Sequence, residues 1–135
     1  DIADLGTLKT DALTKNIKRF NPFIEITSQC VKVNEDNAAE IFGGYKIVCE
    51  AFDKAENKAM LVNSILSECG DTKIVSGFGS SNTIVTRKIN DRFYLCGDAE
   101  SDMNDGLALA APRVAICAAH EANMILRLLI GEKEV

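Results

Sequence analysis

The chain has 135 residues, 47% hydrophobic and 26% charged, with a net charge of −5, no Trp and a single His. That length and composition suit one soluble globular domain with a real core and exclude a disordered chain. The acidic balance argues against a nucleic-acid or anionic-membrane partner, which select basic surfaces, and no apolar run approaches the roughly 18 residues of a membrane span.

The elements follow in chain order. In "DIADLGTLKTDALTKNIKRFNPF", Leu8, Ala12, Leu13, Ile17 and Phe20 recur at helical spacing until Asn21-Pro22 stops the pattern. "FIEITSQCVKV" alternates apolar and polar residues, which predicts a strand of about eight residues. "NEDNAAEIFGG" reads as a short helix, with Asn34 as N-cap, acids in its first turn and Gly43-Gly44 past its end. "YKIVCEA" is a buried strand, "KAENKAMLVNSILSECG" a helix with Leu61, Ile65 and Leu66 turned inward, and "TKIVSG" a second short strand. "NTIVTRKINDRFYLCGD" then predicts a hairpin around Asn90-Asp91, and "AESDMNDG" a solvated loop. A long helix, "APRVAICAAHEANMILRLLIGE", opens near Pro112 and closes at Gly131. The expected class is α/β: parallel strand–helix units, then an antiparallel hairpin and a closing helix.

Asp53 stands where the first of these strands hands over to its helix. In open α/β sheets the carboxyl ends of the strands are where ligands bind. An aspartate at that position can equally be a helix N-cap. The five cysteines (Cys30, Cys49, Cys69, Cys96 and Cys117) form no C-x-x-C pair and are odd in number. Inert thiols in a reducing cytosol, and no structural zinc, are therefore expected. No G-x-G-x-x-G occurs; "SGFGSSN" has two glycines but follows a late strand and precedes no helix. Opening on a helix, residues 1–135 read as a single domain lacking its first strand–helix units, the later part of a nucleotide-binding fold.

Four blocks carry a family likeness: "LGTLKTDALTKNIKRFNPF", "VCEAFDKAENKAMLVN", "IVSGFGSSNTIVTRK" and "GLALAAPRVAICAAHEANMILRLLIGE". In this order the chain resembles the ThiF/MoeB/HesA adenylyltransferases, relatives of the ubiquitin-activating enzymes. The subgroup it most resembles is the ThiF type without zinc knuckles, associated with the thiamine sulfur carrier ThiS. The resemblance implies a Rossmann-like fold of the ubiquitin-activating type, truncated at its N-terminal nucleotide-binding units. It implies an enzyme that uses ATP and Mg to adenylate the carboxyl-terminal glycine of a ubiquitin-fold carrier, working as a cytoplasmic homodimer. Asp53 matches the magnesium-associated aspartate, Lys9 the phosphate-contacting lysine, and Lys58 stands where an arginine is more usual. Backbone near Val31 would line the adenine pocket, and "SGFGSSN" with the 98–106 loop would flank the carrier's tail. Glu121 replaces a common glutamine, and the glycine-rich turn and ribose-binding acid of the family have no counterpart, so the 135-residue chain alone is expected to bind ATP weakly and not to adenylate.

Two other readings stay open at this level. One is the back half of a nicotinamide-dependent dehydrogenase, which needs a fingerprint and a catalytic residue not found here. The other is a carrier-binding or dimerisation module without chemistry. His120 has no serine or carboxylate placed with it in a triad order and is read as a packing or surface residue.

Overall fold

A computed structural model describes residues 2–79, 82–101 and 110–135, and the chain divides into two units, residues 1–33 and 34–135. In the first unit a 3-10 turn (Ile2–Asp4) precedes α1 (Lys9–Phe20). Lys15 pairs with Asp4 at 3.2 Å, and the helix ends as Asn21 donates its N–H to the Ile17 carbonyl. None of the α1 residues is buried, and Leu13, Phe20 and Phe23 are largely exposed.

The strand expected over 23–33 does not form: residues 24–33 have no regular secondary structure. Alternation shows that a segment fits a pleated surface, but a strand exists only when a neighbour satisfies its backbone ladder. No described strand pairs with these residues. Phe23 is 92% exposed.

The second unit follows its sequence closely. α2 (Glu35–Phe42) starts in a capping box, with Asn34 and Asn37 each accepting the other's backbone N–H. Then come β1 (Ile47–Glu50), α3 (Ala55–Glu68), β2 (Lys73–Gly77), β3 (Val85–Lys88), β4 (Phe93–Gly97) and α4 (Ala111–Leu129), with Pro112 in the first turn of α4. The sheet order is β1-β2-β4-β3, parallel except for the β3–β4 hairpin. The Asn90 side chain shapes that hairpin by accepting the N–H groups of Arg92 and Phe93 at 2.8 and 2.9 Å.

The core has two faces because strand side chains alternate. On one face Val75, Tyr94 and Cys96 pack against Met124 of α4, with Ile125 and Leu128 at the margin. On the other lie Val48, Glu50, Ile74 and Ser76, toward the buried Leu61, Val62 and Ile65 of α3. Ile65 and Ile74 are completely buried, each contributing about 1.5–3 kcal/mol of transfer free energy. Leu61 and Ile65 turn inward as the helical spacing predicts, and Leu66 is half-buried. Among the described residues no helix is long and apolar enough to cross a membrane.

Candidate functional site

The parallel strands β1 and β2 end at Glu50 and Gly77, and the chain turns from β1 into α3 through residues 51–54. Glu50 is the last residue of β1, and alternation from buried Val48 turns it into the α3 face, where it is 1% exposed. A carboxylate taken that far out of water costs several kcal/mol unless it is paired and hydrogen-bonded. Three donors meet it. The Lys58 ammonium lies 3.3 Å from both oxygens, the Ser76 hydroxyl donates to Oε2, and the Phe52 N–H donates to Oε1. Ser76 is the aligned partner of Glu50 across the β1–β2 ladder, so sheet register delivers the hydroxyl.

Asp53 is exposed in the turn that follows. The N-cap position of α3 belongs to Lys54, which has extended backbone and no side-chain cap, so Asp53 does not cap this helix. It makes no hydrogen bond or ion pair among the described residues. Lys58, matched to a phosphate contact, has its ammonium engaged by Glu50, with the side chain 15% exposed. Lys9 is the exposed first residue of α1, and Val31, 48% exposed, lies in the segment without regular structure; both belong to the other unit. The structure thus places Asp53 on the β1–α3 connection and Lys58 in the first turns of α3, with its ammonium on Glu50. Glu50 itself went unread in the sequence. Its signal was present: a charged residue in phase with Val48 on a buried strand face, with a lysine eight residues on.

A second carboxylate occupies the α4 face of the same sheet edge. The Cys49 thiol donates to Glu121 Oε2 at 3.5 Å, and Cys117, one helical turn before Glu121, donates to Oε1 at 3.8 Å. Gly77 makes the room: a Cβ there would stand 2.2 Å from Glu121 Oε1. Burial pushes the Glu121 carboxyl above its usual range. Burial, reinforced by the Glu121 charge, pushes the Cys49 thiol up to about 12 and the Cys117 thiol to about 11. Thiols held so far toward the protonated form are poor nucleophiles. All five cysteines are free; Cys69, Cys96 and Cys117 are buried, whereas Cys30 and Cys49 are exposed.

The glycines of "SGFG" serve a close crossing of two loops. The Gly79 carbonyl accepts the Asp98 N–H at 3.3 Å, and the Phe78 carbonyl accepts the Ala99 N–H at 3.1 Å. Gly79 and Gly97 take φ of +75° and +137°, and a Cβ on either would collide with the facing loop. Asp98, next to the stretch expected as a solvated loop, is only 3% exposed. It accepts the N–H groups of Asn82, Glu100 and Ser101 and the Ser101 hydroxyl. Burial alone would raise its pKa, but these donors prevail and hold it well below the usual carboxylate range. Asp102 and Asp105 lie outside the described residues. His120, half-buried on α4, pairs its Nδ1 with the Thr86 hydroxyl at 2.9 Å. Among the described residues no group of three or more His, Cys, Asp or Glu side chains is arranged to hold a metal ion.

An open, mostly parallel α/β sheet with polar side chains gathered at its carboxyl edge defines a Rossmann-like fold, the class in which ligands bind at that edge. The model of the ThiF family matches residues 1–135, and the chain belongs to that family. Among curated proteins it is similar to the adenylyltransferase and sulfurtransferase UBA4 of Saccharomyces cerevisiae, 27% identical over 92 residues, which is 67% of this chain and 21% of the relative. UBA4 of Eremothecium gossypii is 29% identical over 79 residues, covering 58% of this chain and 17% of that protein. The chain spans about a fifth of the length of these relatives. No solved structure matches it.

Proposed function

We propose that this chain is part of an adenylyltransferase that activates the carboxyl-terminal glycine of a ubiquitin-fold sulfur carrier with ATP and Mg. The observation that carries the reading is Asp53: an exposed carboxylate with no protein partner among the described residues, at the carboxyl edge of a parallel sheet, in a chain of the ThiF family. Magnesium sites at nucleotides need one or two carboxylates plus the phosphates rather than an all-protein cage, so this donor set fits. When bound, the metal neutralises charge growing on the pyrophosphate leaving group. The residues of the chain would then divide the work. Asp53 would hold the metal, while Lys58 stays paired with Glu50.

The carrier we favour is ThiS-like, in thiamine biosynthesis, on the strength of the four sequence blocks. The similarity to proteins named adenylyltransferase and sulfurtransferase supports the activity without selecting the carrier. In this reading residues 1–135 belong to the catalytic domain, and the enzyme works as a cytoplasmic homodimer without zinc.

The test is Asp53→Asn in the full-length protein, which keeps the side-chain shape and removes the charge. Carrier-dependent pyrophosphate exchange should fall about 100-fold, the loss typical of one electrostatic contact to a transition state, with the melting temperature unchanged. Near-normal exchange by this variant overturns the assignment. Running it with ThiS-like and other ubiquitin-fold carriers identifies the substrate.

A further inference from the structure

We propose that Glu50 is a positioning residue whose buried carboxylate sets the turn that presents Asp53. The inference rests on the role given to Asp53 above and goes beyond it to what places that side chain. The Asp53 side chain has no partner of its own among the described residues, so the backbone just before it must hold it in place. Among the described residues that backbone has one side-chain anchor. The Phe52 N–H, immediately before Asp53, donates to Glu50 Oε1, two residues back along the chain.

The acceptor is itself immobilised. Ser76, aligned with Glu50 in the parallel ladder, donates to Oε2, and Lys58 of α3 spans both oxygens at 3.3 Å. One carboxylate therefore ties the end of β1, the end of β2, the first turns of α3 and the connection carrying Asp53. Two of its three donors, Ser76 and Lys58, come from β2 and α3, and the residue is 1% exposed. An exposed metal ligand on a short connection gains little from its charge unless its backbone is pre-organised. Lys58 takes a different place from a free phosphate contact: it neutralises the anchor, because a buried carboxylate without its cation is strongly destabilising.

The experiment uses the full-length protein, with Glu50→Ala, Ser76→Ala, Asp53→Asn and the Glu50→Ala/Asp53→Asn double variant. Two readouts are taken: amide exchange of Phe52 by NMR, and the Mg concentration giving half-maximal pyrophosphate exchange. For Glu50→Ala, Phe52 exchange should rise about tenfold or more while the α3 amides stay protected. The Mg requirement should also rise about tenfold. Adding Glu50→Ala to Asp53→Asn should change the Mg requirement little, because the two act through one ligand. If Glu50→Ala does not fold, Ser76→Ala loosens the same carboxylate without stranding a charge and should move both readouts in the same direction by less. Unchanged Phe52 exchange, or an undiminished Mg effect in the Asp53→Asn background, overturns the positioning role. Normal activity in Asp53→Asn with raised Phe52 exchange in Glu50→Ala instead overturns the metal role of Asp53, leaving Glu50 as an anchor of the turn alone.

Discussion

Gly77 and Glu121 approach so closely that a side chain on the glycine would place its Cβ 2.2 Å from Glu121 Oε1. Glu121 could swing aside only by giving up Cys49 and Cys117 as donors. Gly77→Ala should therefore destabilise the protein by about 1–3 kcal/mol, the usual cost of overpacking. Combining it with Glu121→Ala should recover part of that loss. Thermal unfolding of the two single variants and the double variant measures the coupling; strict additivity would show that the contact is not the cause.

Glu121 also gives stability a pH dependence of definite sign. Burial raises its pKa in the folded state, so between the unfolded and folded values the native state binds the extra proton. Stability then falls as pH rises from about 4.5 through the folded pKa. Glu121→Gln removes the titration and should raise the melting temperature at neutral pH relative to acid. Parallel profiles for the two proteins between pH 4 and roughly 8 would refute the assignment.

Asp98 works in the opposite direction. Its folded pKa lies below the model-peptide value of 3.8, so its stabilisation is fully present above that value. It is lost as pH falls below it and the carboxylate takes up a proton. Asp98→Asn places an amide where four donors converge and should cost about 3 kcal/mol, from hydrogen bonds to a charged acceptor. Denaturant unfolding at neutral pH checks the cost, which should shrink on acidification.

Cys49 is exposed, yet its thiol is pushed up to about 12 by burial of the sulfur and by Glu121. At pH 8 it should alkylate far more slowly than its exposure suggests, because the thiolate is the nucleophile. Glu121→Gln should speed the reaction about tenfold by removing the adjacent charge. Mass spectrometry of iodoacetamide-labelled peptides reads both rates, and equal rates in the two proteins would break the link.

Much of residues 34–135 was legible because its information is local. Asn34 caps α2 with its own side chain, a short apolar run marks β1, and Asn90 shapes the hairpin within three residues. The α/β order, the closing helix after Pro112 and the family blocks all follow from such short-range patterns. The remainder depended on which elements meet. Residues 23–33 have a strand's alternation, but no described strand supplies a ladder, so they take no regular structure. Asp98 looks like one of several loop acids until the 78–79 and 97–98 crossings bury it among donors. Glu50 is one charge in an apolar run until the β1–β2 register brings Ser76 beside it and α3 brings Lys58 across. A side chain's own chemistry decides capping, turns and periodicity within a few residues, so the linear sequence determines them. Whether a charge is solvated or buried depends on the dielectric and donors around it, and residues distant along the chain provide both, so only the tertiary structure decides that.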